Sequence, residues 1–322
     1  MQRPRQRFFI LACCVAVLGL LGFGNGAPAG AFPTGIVLMR VTQLIGGGTC
    51  QLGSVDLVTG TVTPLPHVGG DVCLSDIAYA PDGRLFGLAS NVGQPAGPIH
   101  LFQLDTTTGQ IVADLGQFGS FNAFADPTTA GLAFDSSGTV FALMQGADPG
   151  CGTNSSCLYS ANLSNIGAAQ FLGAAPSGTF LNNLAISCAG AGFTIEPQFA
   201  PMSTKANGAN SPGETRSQDA GPNARLDALN LINGAPSGIG TGFGTDNLLS
   251  GLDFDGTGKL WGVGTTADTV RHVFALDTTT GTASVGPVLA GATGDPISLA
   301  LQTCSTPPPP APPLVITPRF TG

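Results

Sequence analysis

Five oxygen-bearing side chains, Asp76, Asn183, Asp246, Asn247 and Asp295, each stand at or just before a short apolar run such as "IAYA" or "LAIS". Carboxylate and amide oxygens suit a hard cation, so calcium at a shared mouth is one chemistry this set could support. The same residue types also form ordinary turns. A second set lies in "FGSFNAFAD": Phe118, Phe121 and Phe124 could supply apolar contact area, with Asn122 and Asp126 orienting a polar ligand. The competing expectation is that these rings plug a gap between structural units.

Other candidates point away from catalysis. "DFDGTG" at Asp253 hints at a calcium loop but lacks the further oxygen ligands and closing Glu of an EF-type site. His67, His100 and His272 are all the histidines, and two of them hold the same place in a repeat, which indicates a strand preference before a triad. "GAPSGIG" and "AAPSGTF" set Ser beside Gly without forming a nucleophile elbow. No catalytic residue is assigned, and no cofactor is expected apart from calcium.

The elements that would position these residues are repeated. "HLFQLDTTTGQ" (100–110) returns as "HVFALDTTTGT" (272–282), and "GLAFDSSGTVFALM" (131–144) returns as "GLDFDGTGKLWGVG" (251–264). "DIAYAPDGRLFGLA" (76–89) and "NLAISCAGAGFTIE" (183–196) are looser copies. The turn glycines Gly60, Gly109, Gly167, Gly234 and Gly281 follow one another at 49, 58, 67 and 47 residues, a period near fifty with insertions. Repeats of that length with four short strands each predict a β-propeller. In "LDTTTG" the Asp side chain can accept backbone N–H bonds, and the Gly can take positive φ, so Asp56, Asp105, Asp277 and their counterpart Asn230 read as turn formers.

Strands are left over at both ends. "PISLALQ" (296–302) lacks partners, and "GIVLMRV", "CQLGSVDL" and "TVTPLP" lack an innermost strand, so together they complete a fifth blade. The expected fold is all-β: a five-bladed propeller over residues 35–304, closed between its N- and C-terminal strands, with six or seven blades as the alternative. The alternation of "GLAFDSSGTVFAL" with "LFQLDTTTGQ" resembles secreted bacterial propellers of the NHL and YVTN kind over most of residues 35–303. That resemblance implies the fold and leaves function open. "LDTTTG" also resembles the repeats of pyrroloquinoline-quinone enzymes, but those carry recurrent tryptophans, and Trp261 is the only Trp here, so the cofactor is not carried over.

Composition agrees with many short strands: 48 Gly and 25 Pro in 322 residues, with 43% hydrophobic and only 9% charged. The net charge of -8, with no basic cluster beyond the first seven residues, argues against nucleic acid or an anionic membrane surface as partner. Residues 1–31, with three arginines before an apolar run and small residues at its end, read as a signal peptide, so the mature chain is expected to be secreted or periplasmic and without a membrane span. Residues 305–322 read as a proline-rich disordered tail.

Six cysteines then remain for an oxidising compartment, and disulfides are the default. Cys151 with Cys157 closes a short loop, and Cys50 with Cys73 is the next pair. Cys188 and Cys304 each follow an innermost strand on the turn side, and could bridge only if the channel brings their Cα atoms within about 7 Å. One face is uniform, carrying the "DSSG" and "DTTTG" turns, whereas the other carries variable loops, including 118–129 and the insert 199–224. The expected function is a secreted, non-catalytic propeller that binds an extracellular ligand or protein through the variable face. The alternative is a metal-dependent propeller hydrolase or lactonase with its oxygen ligands at the channel mouth.

Overall fold

The computed structural model describes residues 34–41, 49–66, 73–90, 96–124, 131–145, 150–151, 155–197, 224–244 and 247–302. The expected signal peptide at 1–31, the tail at 305–322 and most of the insert at 199–224 fall outside them.

The chain opens with β1 (Thr34–Arg40), β2 (Cys50–Asp56) and β3 (Val62–Pro64). Blade one is β4 (Asp76–Tyr79), β5 (Leu85–Ser90), β6 (Ala96–Leu104) and β7 (Ile111–Phe124). Blade two is β8 (Gly131–Phe134), β9 (Thr139–Gln145), β10 (Ser156–Asn162) and β11 (Asn165–Ala174). Blade three is β12 (Asn182–Ile186), β13 (Gly192–Glu196), β14 (Arg225–Leu229) and β15 (Pro236–Ile239). Blade four is β16 (Asn247–Phe254), β17 (Leu260–Thr266), β18 (Arg271–Leu276) and β19 (Ala283–Val288). The last strand, β20 (Asp295–Leu301), pairs with β1, in the order β20-β1-β2-β3. All five sheets are four-stranded and antiparallel, so the molecule is the expected five-bladed propeller closed between its two ends. Among the described residues no helix is long and apolar enough to cross a membrane.

Each blade buries both faces, because each is sandwiched between two others. In β1, Ile36 and Leu38 point into the cluster shared with blade one, while Val37 and Met39 point into the cluster shared with blade four. The two-residue side-chain period thus turns a continuous apolar run into two cores. Five such clusters form, one at each junction. Around the axis the innermost strands carry the buried Ala78, Ala133, Ala185 and Ala300, and at Gly131 a Cβ would stand only 2.7 Å from the Asn183 carbonyl carbon. Small side chains there let five strands crowd one axis.

The repeated turn works as its residues predict, and also docks the blades. Asp277 Oδ1 accepts the N–H groups of Thr279 (2.7 Å) and Thr280 (3.2 Å), and Gly281, at φ 70°, donates its N–H to the Asp277 carbonyl. Asp56 and Asp105 repeat the pattern, and Asn230 repeats its first bond, accepting the Ile232 N–H. A Cβ on Gly281 would collide with the Ile239 carbonyl of blade three, and one on Gly60 with the Val288 carbonyl of blade four. The glycine that permits the turn therefore also permits contact with the preceding blade.

Residues 118–129 do not begin as a loop. β7 continues to Phe124 because β6 starts early enough to partner it, with Pro98 opposite Asn122, Gly97 opposite Ala123 and Ala96 opposite Phe124. Cys50–Cys73 and Cys151–Cys157 are both disulfide-bonded, with Cα atoms 5.0 Å and 5.9 Å apart. The first ties the closing blade to blade one. Cys188 is also disulfide-bonded, and Cys304 lies outside the described residues.

Candidate functional site

The innermost strands share one register, "DIAY", "GLAF", "NLAI", "GLDF" and "SLAL", so Asp76, Gly131, Asn183, Gly251 and Ser298 form a ring at the mouth end of the channel. Asp76 is 3% exposed. Its Oδ2 accepts the Leu132 N–H of blade two at 2.6 Å. Its Oδ1 accepts the Ile77 N–H at 2.9 Å and the hydroxyl of Ser298 in the closing blade. Ser298 Oγ in turn accepts the Ile77 N–H at 3.1 Å.

Burial pushes the Asp76 pKa up to about 7, against the lowering influence of the bonds from Ser298, Leu132 and Ile77. A carboxyl that titrates near neutrality is a usable proton carrier, but this one faces protein on every bonded side. Its evident work is to join three blades. Asp253 repeats the device two residues further along the channel, accepting the Leu301 N–H of the closing blade at 2.7 Å and the Phe254 N–H at 2.8 Å.

Only part of the expected oxygen set comes together. Asp76 and Asn183 share the mouth ring, and Asn183 holds φ 59° with its carbonyl accepting the Thr194 hydroxyl at 2.8 Å. Asn247 donates to the Phe243 carbonyl at 2.8 Å, and Asp295 is an exposed partner of Arg271 at 3.0 Å. Asp246 lies outside the described residues. Among the described residues, no three His, Cys, Asp or Glu side chains gather as a metal group.

Of the expected ligand contacts, Phe118 is fully buried in the junction of blades one and two, packed with Phe86, Leu101 and Tyr159. It is core, as the alternative for these rings had it. Phe121, Asn122 and Phe124 lie on the overhanging end of β7, and Asp126 falls outside the described residues.

A polar group not singled out from the sequence occupies the same end of blade three. The Arg225 guanidinium lies 2.6 Å from Glu196 Oε2 and 3.4 Å from Asp227, whose side chain is fully buried. Asp227 sits opposite Thr194, the cross-strand place that Phe102, Tyr159 and Phe274 fill in blades one, two and four. Desolvation pushes its pKa up to about 6; Arg225 draws it down and Glu196 adds to the rise. The signal was present: aligning "RLDALN" with "HLFQLD" and "HVFALD" sets Asp against two phenylalanines.

The class these features define is a five-bladed β-propeller with a crowded, polar channel mouth. No family model matches the chain, and no curated protein does. Similar solved structures include a protein of unknown function from Bacteroides caccae, 10% identical over 84% of this chain and 98% of that one, at TM-score 0.44. The periplasmic gluconolactonase of Pseudomonas aeruginosa is 14% identical over 84% and 85%, at 0.42. Virginiamycin B lyase from Staphylococcus aureus is 11% identical over 79% and 74%, at 0.37. At such scores none of their chemistry carries over to this chain.

Proposed function

We propose that the protein is a secreted, non-catalytic propeller that binds an extracellular ligand or protein partner through the loop face around its channel mouth. The observation that carries this reading is the β6–β7 ladder, which runs past the rest of blade one to Ala96 and Phe124. Phe118 roots that hairpin in the core. The residues beyond it in β7, Phe121, Asn122 and Phe124, are the proposed contacts together with Asp126, which follows in sequence outside the described residues, because aromatic and polar residue types close together in the chain suit capture. The Glu196–Arg225 pair at the same end of blade three adds charge. Two disulfides fit an exported protein.

The test compares the wild type with a Phe121→Ala/Phe124→Ala variant in capture of glycans and secreted proteins. Loss of capture with unfolding unchanged is the expected result. A variant that retains every wild-type partner would defeat this placement.

A further inference from the structure

We infer that Asn233 is a site of spontaneous modification, at which the chain deamidates to aspartate and isoaspartate and so loosens the contact between blades two and three. In the repeated turn of the closing blade and of blades one and four, the residue before the last glycine is Thr59, Thr108 or Thr280. Each threonine Oγ1 accepts the N–H two residues further on, at 3.3 to 3.4 Å. Blade three sets asparagine there instead, in "NLING". Asn233 preserves the bond, its Oδ1 accepting the Ala235 N–H at 3.0 Å. What the exchange adds is an electrophilic carboxamide directly before a glycine.

The bond from Ala235 closes an Asx turn, which folds the carboxamide over the peptide that follows it and brings Cγ beside the Gly234 nitrogen. The Ala235 N–H polarises the Cγ–Oδ1 bond and faces the oxyanion of a tetrahedral adduct. Gly234 has no Cβ to hinder the approach. Ile232, Asn233 and Ala235 are all exposed, Ile232 by 83%, so water and hydroxide reach the turn. The Gly234 N–H is held by the Asn230 carbonyl at 2.8 Å, so reaction awaits local opening of the turn and runs more slowly than in an unfolded chain.

The Gly234 nitrogen gives its proton to hydroxide and attacks Cγ. As the new N–Cγ bond forms, the Cγ–Nδ2 bond breaks, and ammonia leaves with a proton from water. Water then opens the succinimide at either carbonyl, giving aspartate or isoaspartate with no change of oxidation state. In isoaspartate the main chain runs through Cβ and Cγ and is one carbon longer. That length falls on an inter-blade contact: the Asn233 carbonyl oxygen lies 1.9 Å from where a Gly173 Cβ would stand, and a Gly234 Cβ would stand 2.9 Å from the Gly173 carbonyl oxygen and 3.3 Å from the Leu158 side chain. The lesion therefore undoes the docking of the blade-three turn on blade two.

Protein incubated for several weeks at mildly alkaline pH and body temperature is expected to show, in the proteolytic peptide spanning residue 233, the mass gain of an NH2-to-OH exchange. The same peptide should accept methyl groups from an L-isoaspartyl methyltransferase. A residue 233 that stays unmodified would overturn the inference. Asn233→Thr, which restores the residue of the other turns, should fold as the wild type does and escape both changes. Tm of the converted wild type should fall by roughly 3 to 8 °C while that of equally aged Asn233→Thr holds. An equal fall in the two proteins, or a fall in neither, would overturn the effect on the blade contact.

Discussion

The Asp76 carboxylate accepts the Leu132 amide of the next blade at 2.6 Å, across 56 residues of sequence. With the Ser298 hydroxyl on its other oxygen, it holds three blades at the point where the ring closes. A buried acid at a seam makes the closure sensitive to pH.

Asp76 is raised from 3.8 to about 7, so its contribution to stability is complete below pH 3.8 and is lost as pH rises through 7. Asp227, raised to about 6, has the same sign. Unfolding should therefore show stability, and Tm with it, falling from pH 4.5 to pH 7.5, the stability by roughly 3 kcal/mol on account of Asp76. Asp76→Asn should flatten that slope; a variant whose slope matches the wild type would refute the assignment. Below pH 4 the sign reverses, because Asp105, held near 2 by its bonds from Thr107 and Thr108, loses its contribution there.

Removing Arg225 strands a buried carboxylate. Arg225→Ala should destabilise the protein by roughly 3 kcal/mol at pH 8 and by less at pH 5, where Asp227 is protonated. Asp227→Phe restores the residue type of blades one and four, and should be neutral or stabilising at pH 8. Denaturant melts at the two pH values separate these outcomes.

Two glycines with similar backbone angles should differ in cost. Gly138, at φ 84°, has open space where a Cβ would go, so Gly138→Ala should cost about 1 kcal/mol. Gly281→Ala meets the Ile239 carbonyl and should cost roughly 3 kcal/mol or more, by strain plus lost docking. Equal losses would show that the turn glycine has no part in holding blades together.

Phe118→Ala should cost roughly 3 to 5 kcal/mol, since its ring is wholly enclosed between blades one and two. At temperatures where this variant remains folded, capture by the wild type and the variant should agree. A stable Phe118→Ala protein that no longer captures its partner would reverse the roles given to Phe118 and to the overhang.

Blade count, strand order and ring closure could be read from the residues because each rests on local chemistry. The Asp and Gly of "DTTTG" bond within five residues, and alternation in "IVLM" needs only the next residue's direction. The unpartnered "PISLALQ" and "GIVLMRV" could be matched because a sheet edge needs a partner. Asp76, Asp227 and Phe118 could not be settled that way. Whether a carboxyl titrates near 4 or near 7 depends on burial in the closed ring, and on how far bonds from residues 56 and 222 positions away, Leu132 and Ser298, pull it back down. Whether a phenylalanine is core or contact depends on where β6 happens to begin. Desolvation and register arise between segments, and only the closed ring brings those segments together.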